Sequence, residues 1–145
     1  MMQVYVNYIA VFFAAIANMV LGFLWYGPLF GKQWIALMGW SKEQVEKGQK
    51  QMKESGFKTY TLAFIGSLLM GFVLSHSLTF ANSYLGTSGI GAAVMAGFWS
   101  WLGFVAPVTL GSVLWEGKSW KLWLLLNSYY LVALLVMGSI LALWV

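Results

Sequence analysis

The first 31 residues carry no charged side chain, and the first charge in the chain is Lys32, directly after "LGFLWYGPLFG". An apolar run that ends in Trp25, Tyr26, a Gly27-Pro28 break and a lysine reads as a membrane-crossing helix with an aromatic, cation-anchored end. Three more apolar runs follow, so the four lie at about 4–27, 60–81, 90–115 and 120–144, each at least 22 residues long. At ~1.5 Å of rise per residue each reaches ~33 Å or more, enough for a ~30 Å hydrocarbon core. Lipid offers backbone N–H and C=O groups no partner, so helices are the natural way across. Only 8% of residues are charged and 61% are hydrophobic, whereas a soluble domain carries roughly 25% charge. The expected fold is all-α: a four-helix transmembrane bundle with a helical loop, 28–59, between the first two helices. Residues 1–145 are expected to form a single membrane domain.

Composition also closes off chemistry. There is no cysteine, hence no disulfide, thiolate or Cys-ligated metal. Arginine and aspartate are absent too, which removes the bidentate fork that usually clamps phosphate or carboxylate. No Ser–His–Asp set can be built, and no P-loop, GxGxxG or HExxH occurs. Glycine-rich "GTSGIGAA" reads as a turn opening the third helix. We therefore expect no enzyme activity, no cofactor and no metal. The lysines form no groove-like run for nucleic acid.

The lysines instead orient the chain. They fall at 32, 42, 47, 50, 53, 58, 118 and 121, that is, only between the first and second and the third and fourth helices. In a four-span chain those connections share one side, and the 82–89 connection has no charge. The positive-inside rule makes 28–59 and 116–121 cytoplasmic, with both termini outside. Ala15-Ile16-Ala17 looks like a cleavage site but lacks a basic segment before it, so the first helix is expected to be retained. On this reading Pro28 stops the first helix. Trp25, Tyr26, Trp34, Trp40, Tyr60, Trp115, Trp120 and Trp123 belong to the cytoplasmic aromatic belt, and Tyr5, Tyr8, Tyr84 and Trp144 to the outer one.

Residues 22–34, "GFLWYGPLFGKQW", with Asn7 upstream, resemble the amino-terminal signature of DUF1761, an uncharacterised family of small bacterial membrane proteins. Residues 101–144, with Glu116-Gly117 and Asn127, resemble its second half. The 41–58 loop and the second helix are less distinctive. The resemblance implies a multi-pass protein of the cell (inner) membrane and carries no reaction with it.

The loop sequence "SKEQVEKGQKQMKES" opens with Ser41 three residues before Gln44, a capping-box pattern. Glu43–Lys47 and Glu46–Lys50 have the favourable i,i+4 order, with Val45, Gly48 and Met52 opposite. The segment is either a solvated connecting helix or a surface helix docking on anionic lipid or a partner. Helix association in lipid depends on small residues. Three ladders supply them: Ala10, Ala14, Asn18 and Gly22; Ser67, Gly71, Ser75, Thr79 and Ser83; Gly89, Ala93 and Gly97.

Polar groups inside the span are costly unless paired. Counting from the cytoplasmic helix ends at ~1.5 Å per residue, Asn18, Ser67, Pro107, Thr109 and Asn127 share one layer ~8–14 Å deep. Pro107 lacks an N–H and frees the Gly103 carbonyl. The layer is either a small hydrophilic pocket beside a broken helix, or interhelical hydrogen bonding around a proline kink. A second layer, ~20–24 Å deep, holds His76, Trp99, Ser100 and Trp101. His76, the only histidine, is either a proton or ligand group or a neutral imidazole bonded within the bundle. Glu116 and Lys118 sit at the inner boundary as interfacial charges.

Two functions fit these residues. The first is a small oligomeric transporter or channel for a small or lipophilic molecule, its path carried by Asn18, Asn127, His76 and the Pro107 break. The second is a structural or accessory subunit that packs against other membrane proteins. Expected partners are the lipid bilayer and a second copy or another membrane protein.

Overall fold

Asn7 starts the first helix: its side-chain oxygen accepts the Ala10 N–H at 3.2 Å, satisfying one of the orphan donors of a helix start. The same carboxamide donates to the Trp144 carbonyl at 2.7 Å, which ties this end to the last turn of the chain. These positions come from a computed structural model that describes residues 4–144. Both chain ends whose side the lysines predict, 1–3 and 145, lie outside the described residues.

Helix α1 spans Tyr8–Leu24 and passes into a π-helical turn, Trp25–Leu29, where the Phe30 N–H reaches back five residues to the Trp25 carbonyl at 2.9 Å. Gly27, at φ −109° and ψ −105°, leaves the helical region and redirects the chain into α2, Gly31–Met38. The first span thus ends at Leu29, one residue past Pro28 as expected, and a short helix rather than an open loop follows it. A side chain at Gly31 would put its Cβ 2.8 Å from the Tyr26 carbonyl, so the turn requires glycine there.

The second departure from expectation is larger. The loop helix and the second span are one helix, α3, Lys42–Leu85, of 44 residues. It opens on the expected Ser41–Gln44 capping box. No proline occurs between 42 and 85, and Gly48 and Gly56 cost only ~1 kcal/mol each against alanine. Nothing therefore breaks the helix where hydropathy changes. At ~1.5 Å per residue it is ~66 Å long, about twice a ~30 Å hydrocarbon core, so its lysine-rich half runs on beyond the span. Gly86, at φ 63°, caps its far end in the left-handed conformation.

The third span is interrupted, as Pro107 predicts. It runs as α4 (Gly89–Ser100), a π turn (Trp101–Val105), α5 (Ala106–Thr109) and α6 (Gly111–Leu114). The Ala106 N–H bonds to Trp101 O across the π step, a common way to absorb a local insertion or a proline. Helix α7, Trp120–Leu143, follows a Ser119 cap that accepts the Leu122 N–H at 3.1 Å.

All described regular structure is helical, and four helical stretches are long and apolar enough to cross a membrane. The chain is a multi-pass membrane protein. α7 packs against α4 and α1, and α1 against α3. Ala10, Ala14, Leu74, Ala93, Leu134 and Met137 form the centre of the core, while Phe23, Leu69, Phe104 and Val108 face outward as lipid-facing residues do. The small-residue ladders sit inside this one chain. Ala10, Ala14, Gly71, Ala93 and Gly97 are buried at helix contacts, whereas Ser83 and Gly89 at the ladder ends are exposed. At Gly97 the helices approach so closely that an added Cβ would lie 3.1 Å from the Leu134 carbonyl oxygen.

Candidate functional site

The polar layer predicted from depth separates into two clusters on opposite sides of α7. On one side, Asn127 Nδ2 donates to Thr109 Oγ1 at 2.9 Å and to the Trp123 carbonyl at 3.1 Å. Thr109 in turn donates to the Val105 carbonyl at 2.8 Å, at the end of the π turn. Asn127 is 1% exposed. This pair staples the interrupted helix to α7.

On the other side, three helices meet through a directed chain of hydrogen bonds. The Tyr129 hydroxyl donates to Asn18 Oδ1 at 2.8 Å, Asn18 Nδ2 donates to Ser67 Oγ at 2.8 Å, and Ser67 donates to the Ala63 carbonyl at 3.0 Å. Asn18 is 6% exposed. Depth along a helix gives height but not direction, and residues 127 and 129 lie roughly 200° apart around α7. That is why one predicted layer becomes two sites. Pro107 is exposed and joins neither.

The Asn18 cluster forms the inner end of a groove of about 830 Å³ at the lysine end of the bundle. One wall is aromatic: Phe23, Tyr26, Trp34, Tyr129 and Tyr130. The other is largely small or flexible and comes from α3: Met52, Ala63, Gly66 and Met70, with Thr59 and Tyr60. Tyr26 holds the aromatic wall together, its ring 4.9 Å from Trp34 and 5.2 Å from Tyr129, centre to centre, within the range of favourable ring pairs. The π turn and Gly27 create this wall by swinging α2, and with it Trp34, beside Tyr26. Trp25 Nε1 fixes the turn to α7 by donating to the Leu125 carbonyl at 3.3 Å. The uninterrupted α3 supplies the opposite side through Met52 and Tyr60. Both departures from the expected fold thus build the groove.

The outer-layer residues do not converge. His76 Nδ1 lies 2.8 Å from the Phe72 carbonyl, one turn back on its own helix, and its ring packs on Phe72. Trp99 is 58% exposed and points to the lipid side. Trp101 packs against the core, with its Nε1 buried and lacking a partner among the described residues. Ser100 is half-buried. Glu116 and Lys118 are exposed in the turn before α7, and the Lys118 N–H closes that turn on the Ser112 carbonyl at 3.0 Å.

Sequence reasoning placed Tyr26, Trp34 and Tyr60 in an interfacial belt and passed over Tyr129 and Tyr130. The missed signal was available: Tyr129 lies at the depth of Asn18 by the same count, and a phenol is a polar group when buried.

One family profile, described as a protein of unknown function (DUF1761), matches residues 9–142. No curated protein and no solved structure matches the chain.

Proposed function

Because the DUF1761 profile covers residues 9–142, the chain belongs to that family of unknown function, and we propose that it takes a lipophilic molecule with a hydrogen-bonding head into the aromatic groove and carries it within the bilayer. One observation carries this reading: the open groove offers about 830 Å³ of mainly apolar space and ends on the Asn18–Ser67–Tyr129 chain. Pockets of roughly 300–1,000 Å³ with apolar walls and a few placed polar groups suit drug-sized ligands. The aromatic wall offers stacking surface. The Tyr129 hydroxyl and the Asn18 carboxamide offer both a donor and an acceptor. In the proposed orientation the lysine end is cytoplasmic, so the ligand enters from that leaflet, and the protein acts in transport rather than as an enzyme. The participating copies are this chain and its lipid surroundings, with a homo-oligomer as the working assembly.

The experiment is transbilayer movement of fluorescent amphiphiles in proteoliposomes. Wild-type protein should speed movement of at least one uncharged amphiphile. Asn18→Leu and Gly66→Trp should abolish that gain while thermal melting in mild detergent persists. No acceleration across a panel of neutral, anionic and cationic amphiphiles would turn the account toward the accessory-subunit reading.

A further inference from the structure

The opposite end of the molecule holds a second cavity of different chemistry. It measures about 380 Å³ and lies between the start of α1, the outer third of α3 and the end of α7. Ser75, Thr79, Asn82 and Ser83 line it from α3, spaced i, i+4, i+7 and i+8 and hence on one helix face. Tyr5 and Trp144 flank it with rings. No charged side chain is among its described lining residues.

Two polar groups there lack the bonds that neighbouring side chains make. Ser67, Ser77 and Thr79 each turn their hydroxyl back to the carbonyl four residues earlier. The Ser75 hydroxyl is not tied down in this way, although the residue is only 9% exposed. Asn82 Oδ1 is buried with no partner among the described residues. Asn82 also borders a smaller cavity of about 200 Å³ toward the start of α4, so the residue stands between two open spaces. A buried acceptor without a donor costs ~1–3 kcal/mol, and a turn of the carboxamide toward the cavity lets a ligand group remove that cost. The space far exceeds the ~10–15 Å³ that one bridging water needs.

We propose that this outer cavity is a binding site for a small uncharged polyhydroxyl solute, seated on Asn82 and Ser75 between the Tyr5 and Trp144 rings. Hydroxyl groups suit the site because each both donates and accepts, so they serve the carboxamide whichever way its oxygen and nitrogen are turned. With no charge among the described lining residues, an ion would lose hydration there without gaining a counter-charge from them. The site shares no lining residue with the aromatic groove and stands independently of it.

The test is NMR of isotope-labelled protein in mild detergent, titrated with erythritol and with glucose. The Asn82 side-chain amide and the backbone amides of Ala10 and Thr79 should shift and saturate in the millimolar range. Tetramethylammonium, which has no hydroxyl, should leave them in place. Asn82→Leu should remove saturation at Ala10 and Thr79 while the α4 and α7 amides keep their positions. Ser75→Ala, a smaller change, should weaken the midpoint at least threefold. A linear drift without saturation means the cavity holds water only and overturns the proposal. Saturation that survives Asn82→Leu, or that tetramethylammonium reproduces, overturns it as well.

Discussion

The two sides of α7 solve the same problem in opposite ways. Facing α4 and the interrupted third span, α7 approaches so closely that Gly97 meets the Leu134 backbone and Gly138 meets Ala93, and Asn127 is sealed on Thr109. Facing α1 and α3 at the lysine end, it carries Tyr129 and Tyr130 against Gly22, Ala63 and Gly66, and an open groove results. Both sides bury an asparagine, and both satisfy it. The difference lies in the size of the neighbours: small residues on both helices let backbones touch, whereas a ring opposite a glycine holds them apart. Gly22 illustrates the spacing, since an added Cβ would meet the Tyr129 hydroxyl oxygen at 3.1 Å. A buried polar pair on the closed side serves stability. On the proposed reading, the pair on the open side also serves a ligand.

This contrast can be broken at four points, in descending order of effect on stability. Gly97→Leu drives side-chain atoms into the Leu134 backbone, and overpacking costs ~3 kcal/mol; thermal melting in detergent should drop steeply, with α4 and α7 losing amide protection together. Asn127→Ala removes the staple and leaves a void, at ~2 kcal/mol, and hydrogen exchange should rise first in Trp101–Thr109. Asn18→Leu should cost only ~1 kcal/mol, in line with interhelical hydrogen bonds in membranes, yet reduce retention of a groove-bound amphiphile at least tenfold, or ~1.4 kcal/mol. Tyr129→Phe keeps the ring and removes one donor; stability should fall by ~0.6 kcal/mol, with amphiphile retention falling about threefold, or ~0.65 kcal/mol by the same scale. If Asn18→Leu proved as destabilising as Asn127→Ala and left amphiphile retention intact, the two sides would not differ in role.

The number of spans, the Ser41–Gln44 cap, the proline break in the third span and the burial of Asn18, Ser67 and Asn127 were all legible in the sequence, because each follows from hydropathy, local bonding or the cost of polar groups in lipid. The continuity of α3 was not. Its boundary near 60 marks a change of solvent, from water to hydrocarbon, and backbone hydrogen bonds do not stop at such a change. The pairing of Asn18 with Ser67 and Tyr129, and of Asn127 with Thr109, was also hidden, since depth fixes height and the neighbour around the helix is set by packing. His76 and Trp99 show the converse. They share a depth, yet His76 turns to Phe72 on its own helix and Trp99 faces outward, so equal height brought no contact. The groove itself depended on the turn at Gly27, whose direction no periodicity encodes.

The most direct measurement is native mass spectrometry of wild-type protein and Gly66→Trp, released side by side from the same lipid into mild detergent. Gly66 lines the groove and has open space where a side chain would go, so tryptophan should fill the groove without disturbing the packing. The account predicts a reproducible lipophilic adduct on the wild type and its loss from the variant at unchanged oligomeric state. The same adduct on both proteins, or a foreign membrane protein retained at fixed stoichiometry with no small molecule, would contradict it.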